Sequence, residues 1–262
     1  MEKQTLLKKS NNSLKEDHYL KIYESNRFDD WDKFYLSAKS LEEVIFNKFS
    51  DNIPFMKLVG SSATGTMVRG SGDLDYAVAF KNPISNEEFL GRIKEGGLNI
   101  TEVNQNKKYG YNKLCGKYHE RNFVLVPMIH PNGKIETYAQ DAFYHPDFIN
   151  SHKLANHSKN VILMKEFFNQ IGTYKEVKGI GCEMMTLYFK NFDDMLSHFA
   201  NNSFLRINFS QNNHTYSTGP LIIDYPFLGG RSFTDKVTFE MYKQIQESSR
   251  DVIEDYEYLK VR

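Results

Sequence analysis

Asp73 and Asp75 stand two residues apart at the head of the run DLDYAVAF, which ends at Phe80. In a strand, side chains alternate between faces, so both carboxylates would share one face. Such a pair suits Mg²⁺, which is commonly held by one or two carboxylates and completes its shell with phosphate oxygens and water. Upstream, a short apolar run from Phe55 to Val59 stops at Gly60 and is followed by Ser61 and Ser62. A helix opening there offers unpaired N–H donors and a positive dipole end to a phosphate. Gly60 would let the phosphate approach the backbone, and the Ser61 hydroxyl would donate to it. Phosphate cradle and carboxylates together suggest a metal that bridges a triphosphate and polarises it for in-line displacement.

These residues need two strands and the turn between them. Phe55–Val59 reads as a short buried strand, 61–68 as room for a short helix, and 73–80 as a core strand. Before them, Trp31, Phe34, Leu36, Ala38, Leu41, Val44, Ile45 and Phe49 recur at helical spacing, with Asp29 or Asp30 as cap. After them, 87–95 reads as a helix ended by Gly96 and Gly97, followed by strands near 100–104 and 122–129 and a turn at 131–133. Beyond residue 145 the character changes: 147–170, 176–200 and 235–259 read as helices, and 204–234 as irregular with one apolar run at 220–223. Residues 1–25 are polar, a frayed start or short exposed helix.

Composition narrows the function. The 262 residues carry 33 basic and 33 acidic side chains, so bulk charge cannot hold nucleic acid and any basic surface is local. Cys115 and Cys182 are too few for a disulfide scaffold or a multi-Cys zinc site, and a reducing compartment is the simple reading. The N-terminus lacks a long apolar segment and no run approaches a membrane span, so the expectation is a cytoplasmic protein without membrane contact. The histidines show no H-E-x-x-H or zinc spacing; G-x-S-x-G and Walker-A patterns are absent.

The segment GSSATGTMVRGSGDLD (60–75) resembles the G-S…G-T…R-G-x-x-D-x-D signature of the polymerase β-like nucleotidyltransferases, and within them the archaeal CCA-adding enzymes, with 2′-5′-oligoadenylate synthases as cousins. YHPDFINSH (144–152), VILMKEFFNQIGTY (161–174), IGCEMMTLYF (180–189) and, one residue out of register, PLIIDYPFLGGRSFTD (220–235) are similar to later segments of the same family. The resemblance implies an α+β protein: an extension over 1–28, a nucleotidyltransferase head over 29–145 and a largely helical neck and body over 146–262. It implies Asp73 and Asp75 as catalytic metal ligands, and Gly60, Ser61, Ser62 and Arg69 as nucleotide-binding residues. His145, Lys165 and Tyr174 would grip the triphosphate, and Arg231 would contact base or phosphate. Lys as a mobile point charge, and His and Tyr as donors, suit those tasks. The implied activity is transfer of NMP from ATP or CTP, with Mg²⁺ or Mn²⁺, to a hydroxyl, an RNA or tRNA 3′ end above all. Alternatives are a catalytically degenerate NTP- or RNA-binding member, and a synthase of oligoadenylate or cyclic nucleotides or a nucleotidylase of a non-RNA acceptor.

Two departures stand out. The family's third carboxylate precedes a proline by three residues; here FVLVP (123–127) puts Val124 there. Valine ligates no metal, and Asn122 or Glu120 would have to stand in. Second, CCA-adding members continue into a tail domain that grips the tRNA elbow, whereas this sequence stops at Arg262; tight binding of a whole tRNA is not expected unless a separate partner chain supplies that domain, and the amphipathic stretch 239–262 reads as a helix packed on its own body, with a homodimer helix as the alternative.

Overall fold

The computed structural model describes residues 2–49, 51–52, 55–106, 111–130, 135, 137–209, 218–224, 226–227 and 232–261. The chain folds as two compact units. One comprises residues 28–151 and 226–229; the other comprises 1–27, 152–225 and 230–262.

The chain begins in the second unit with helix α1 (Glu2–Asn26). The first unit follows: α2 (Trp31–Phe49), β1 (Phe55–Leu58), α3 (Gly60–Thr64), β2 (Leu74–Phe80), α4 (Asn86–Glu95), β3 (Asn99–Asn106), β4 (Tyr111–Tyr118), β5 (Arg121–Ile129) and α5 (Tyr138–His152). Its five strands lie in the order β1-β2-β5-β4-β3, with β2 and β5 parallel and the other neighbours antiparallel.

One face of this sheet is the main core. Phe34, Ala38, Leu41, Ile45 and Phe49 of α2 fall at three- and four-residue steps, and with Phe89 and Ile93 of α4 they cover Leu74, Tyr76, Val78, Phe80, Phe123 and Leu125. The Tyr76 hydroxyl, buried here, donates to Glu42 at 2.8 Å. Ser85 caps α4 by accepting from the Glu88 N–H at 3.1 Å. The other face is covered over only part of its area. Ala139 and Phe143 of α5 pack on Ala77, Ala79, Met128 and Val126, and the two alanines of β2 leave room for the helix. Asp75 and Val124 lie on that same face beyond the α5 cluster.

The helical unit resumes with α6 (His157–Gln170), α7 (Tyr174–Tyr188), α8 (Phe192–Asn201), β6 (Leu205–Ile207), β7 (Leu221–Ile223) and α9 (Phe239–Glu254), then a 3₁₀ turn over Tyr256–Tyr258. Helix α6 is its axis: Asn160 through Phe168 is buried without a break, so the segment is surrounded. Phe167 packs on Phe192, Phe168 on Phe199 and Phe199 on Tyr242. Strands β6 and β7 pair in parallel.

The observed elements depart from the sequence reading at definite places. The 1–28 extension is a helix whose C-terminal half joins the helical unit: Tyr19 and Ile22 are buried, and Tyr19 donates to Asp193 at 3.1 Å. The reading of 147–170 as one helix gives way to α5 and α6, parted at Lys153–Asn156, and 176–200 to α7 and α8, parted at 189–191. Strand β4, with Lys113 and Lys117 on its open face and Gly116 inside, carries no apolar alternation and escaped the reading. Gly116 is required there, since a Cβ would meet the Phe123 ring at 2.5 Å. The turn at 131–133 lies outside the described residues. No helix among the described residues is long and apolar enough to cross a membrane.

Candidate active site

The carboxylates and the cradle are held together by the edge of the sheet. The Val59 N–H donates to the Asp75 carbonyl at 2.8 Å, which locks the end of β1 to the start of β2. The chain then turns at Gly60, whose φ of +68° favours glycine. A Cβ on Gly60 would lie 3.1 Å from Asp75 Oδ2, so the carboxylate rests directly on the bare backbone that opens α3. Helix α3 is one turn long, closed by Gly65 at φ +76°.

The two serines divide. Ser62 is buried and its hydroxyl donates to the Val59 carbonyl at 3.0 Å, bracing the turn from inside. The Ser61 hydroxyl has no hydrogen-bond partner among the described residues and is half-buried. Thr64 and Thr66 hydroxyls meet at 3.0 Å beneath the turn.

Asp73 is exposed just before β2, and Asp75 is half-buried within it. Asn122 Nδ2 donates to Asp73 Oδ1 at 3.1 Å, so this side chain orients a carboxylate. Burial, and then the negative charge of Asp73, push the Asp75 carboxyl up to about 6, against the opposing pull of Lys113. Two like charges on one face, with the carboxylate form disfavoured, make a donor set that a hard divalent cation would relieve. The fit is to one such ion. Among the described residues no group of three or more His, Cys, Asp or Glu could hold a metal. The protein offers two carboxylates, and substrate phosphate and water must fill the rest of the shell.

The register fixes what stands beside them. Val124 lies opposite Asp75 in the parallel β2–β5 pair, and Cys115 opposite Val124 in the β4–β5 pair. The row across the sheet therefore reads acid, valine, thiol. Glu120 is in the β4–β5 turn, lining a pocket of about 530 Å³ with Asp30, Lys33 and Arg121, away from this row. Arg69 is on the surface, paired with Asp29 at 3.0 Å with both side chains more than half exposed. His145 is buried on α5.

The helical unit carries a second constellation. Lys165 on α6 and Tyr174 at the start of α7 converge on Gly179. A Cβ there would lie 3.1 Å from the Tyr174 hydroxyl and 3.5 Å from Lys165 Nζ. Lys178 just before it has φ 64° and ψ 160°, a backbone region almost reserved for glycine, and it breaks α7 into two helical pieces. Lys165 is buried, and burial lowers its pKa, with Glu183 and Cys182 acting in the opposite sense. Burial, then Cys182 and Glu183, raise that of Tyr174. Arg231 lies outside the described residues.

No protein-family profile matches the chain. It is 27% identical over 202 residues to the CCA-adding enzyme of Methanocaldococcus jannaschii, covering 66% of this chain and 42% of that protein. To the CCA-adding enzyme of Methanosarcina acetivorans it is 23% identical over 151 residues, covering 53% of this chain and 33% of that protein. The chain thus spans less than half the length of these relatives. Among solved structures, the Cid1 poly(U) polymerase with Mg 3′-dATP superposes with a TM-score of 0.73 at 11% identity, covering 95% of this chain and 99% of that one. This chain has the polymerase β-like nucleotidyltransferase fold. The same fold joins it to CdnC from E. coli MS115-1 with ATP, at a TM-score of 0.66 and 16% identity over 90% of each chain. These relatives and structural neighbours are nucleotidyltransferases.

Of the residues singled out in the sequence, the structure brings Asp75 against Gly60, and Lys165 and Tyr174 together at Gly179. Glu183 and Lys113 escaped the reading as electrostatic neighbours. Glu183 had a signal, its place in the segment IGCEMMTLYF that resembles the family; Lys113 had none, because β4 itself gave none.

Proposed function

We propose that the chain is a metal-dependent nucleotidyltransferase that moves a nucleoside monophosphate from an NTP to a hydroxyl, an RNA 3′ end being the favoured acceptor, and releases pyrophosphate. The observation that carries this is the seating of Asp75 against Gly60: one carboxylate of the pair abuts a bare turn whose Ser61 hydroxyl has no hydrogen-bond partner among the described residues. The naming of the sequence relatives as CCA-adding enzymes supports the RNA end, and the neighbours solved with ATP or Mg 3′-dATP support the NTP.

Asp73 and Asp75 would hold Mg²⁺ or Mn²⁺, which when bound neutralises phosphate charge and polarises the phosphorus for attack. Asn122 keeps Asp73 turned to the shared face. The Ser61 hydroxyl and the amides at the start of α3 are the proposed donors to phosphate oxygens. Lys165, Tyr174 and His145 are proposed as further phosphate contacts, and Lys165 supplies the positive charge. Labelled ATP or CTP with Mg²⁺ or Mn²⁺ and a set of RNA acceptors should give incorporation that disappears in Asp73→Ala. Absence of incorporation with every acceptor tried would overturn the transferase reading. Product formed without any added acceptor would move the acceptor from RNA to a second nucleotide.

One observation favours a second reading. Val124 sits opposite Asp75, where the family resemblance calls for a carboxylate. A chain with one metal site and an intact phosphate grip would bind NTP without turning it over. Calorimetry would then give Mg²⁺-dependent binding with no product, and Val124→Asp would raise turnover by orders of magnitude.

A further inference from the structure

Lys165 is a buried ammonium. It is 5% exposed, flanked along α6 by the buried Leu163, Met164, Phe167 and Phe168. An unpaired charge is rarely tolerated in such a place. The partner can be located by helical geometry. In the second piece of α7, Gly179 is the position that Lys165 lies against. The face of a helix repeats at three and four residues, so Cys182, Glu183 and Thr186 continue the Gly179 stripe toward the C-terminus. Thr186 reports the same contact independently: its hydroxyl meets Met164 Sδ, the residue beside Lys165, at 3.4 Å. Glu183 is 2% exposed and Cys182 fully buried, so both point into the α6–α7 seam. Cys182 stays a neutral thiol, pushed up to about 12 chiefly by burial. Glu183 is left as the acid of this seam.

We propose that Glu183 is a positioning residue for Lys165: its buried carboxylate holds the ammonium in the α6–α7 seam with Nζ beside Gly179 and the Tyr174 hydroxyl, ready for a phosphate-bearing ligand. The proposal rests on the reading of Lys165 as a phosphate contact. His157, one end of α6, is buried with neither ring nitrogen hydrogen-bonded among the described residues, and burial lowers its pKa while Glu183 opposes that shift. Lys153 lies in the segment before α6 and acts on His157 as a like charge. Glu166 is engaged by Gln170 at 2.7 Å. Tyr174 and Lys178 complete the set on α7. Glu183 is thus the acid placed to keep the lysine protonated, and without it burial would strip the proton at lower pH.

The test is the pH dependence of Mg·ATP binding by calorimetry, beside the ¹³Cε titration of Lys165 by NMR in the unliganded protein. Glu183→Gln should move the alkaline loss of ATP affinity at least one pH unit downward, leave affinity at pH 6 within about twofold, and lower the Lys165 midpoint by the same amount. Glu183→Asp should recover part of both, and it serves if the glutamine variant does not fold. Lys165→Met should bind at least tenfold more weakly throughout, and adding Glu183→Gln to it should change ATP affinity no further. A glutamine variant whose binding profile and lysine midpoint superimpose on the parent's overturns the positioning role. Equal binding by the parent and Lys165→Met overturns instead the reading of Lys165. A variant that only unfolds more easily, with both profiles unmoved, reduces Glu183 to a structural residue.

Discussion

The open sheet face and the α6–α7 seam solve opposite electrostatic problems. On the sheet, Asp73 and Asp75 place like charges side by side at the margin of solvent, with the carboxylate form of Asp75 disfavoured. In the seam, Lys165 and Glu183 are both buried and opposite in sign. The first arrangement is incomplete by itself and gains from a cation. The second carries its own counter-charge and is set before any ligand arrives. Desolvation explains the difference: a repelling pair survives only where water or an ion can screen it, whereas a buried ammonium requires a fixed partner.

The contrast can be broken most severely at the carboxylates. Asp75→Asn should abolish nucleotidyl transfer, at least a thousandfold or about 4 kcal/mol of barrier, in a labelled-NTP incorporation assay. The same variant should melt slightly higher than the parent at pH 7.5 without metal, because it removes the charge that the fold resists. Truncating the seam should do the reverse to stability. Lys165→Met should destabilise by about 3 kcal/mol in urea unfolding, since it strands the Glu183 carboxylate, and Lys165→Met with Glu183→Gln should recover most of that loss.

The pH response sharpens the comparison further. The Asp75 carboxyl is raised in the folded protein from about 4 to about 6. A raised folded value means that the charged form costs stability. The metal-free protein should therefore gain about 1–2 kcal/mol from this group as pH falls from 7 toward 4, a gain absent in Asp75→Asn. Mn²⁺ affinity should fall over the same window, because proton and metal compete for one carboxylate; electron paramagnetic resonance titration reads this directly. A smaller effect is expected at the turn. Gly60→Ala, at φ +68° and 3.1 Å from Asp75 Oδ2, should cost about 1–2 kcal/mol and weaken Mn²⁺ binding by displacing the carboxylate. The least change belongs to the exposed Arg69–Asp29 pair, where Asp29→Ala should stay within about 0.5 kcal/mol by thermal melting.

Several features were legible before the fold was known, each for a local reason. Period-four apolar spacing gave α2, and alternation gave β2 with its paired aspartates. Gly60 followed by two serines marked the turn. Boundaries inside the helical half were not legible, since neither Lys153–Asn156 nor Phe189–Asn191, where the helices part, contains a glycine or proline. Strand β4 was invisible because its apolar contribution is one buried leucine and a glycine that makes room for Phe123.

The residue types alone determined the chemistry on offer: two acids at strand spacing, a glycine–serine turn, a lysine and a tyrosine set nine residues apart. That much is fixed by bond geometry and side-chain pKa. Only the tertiary structure decided which groups stand alone and which are paired. It set Val124 opposite Asp75, turned Ser62 inward while leaving the Ser61 hydroxyl without a partner, and sealed Glu183 into the seam that holds Lys165. Charge and hydrogen-bond pairing depend on which elements pack together and on how much water that packing removes, and neither quantity is written in the local sequence.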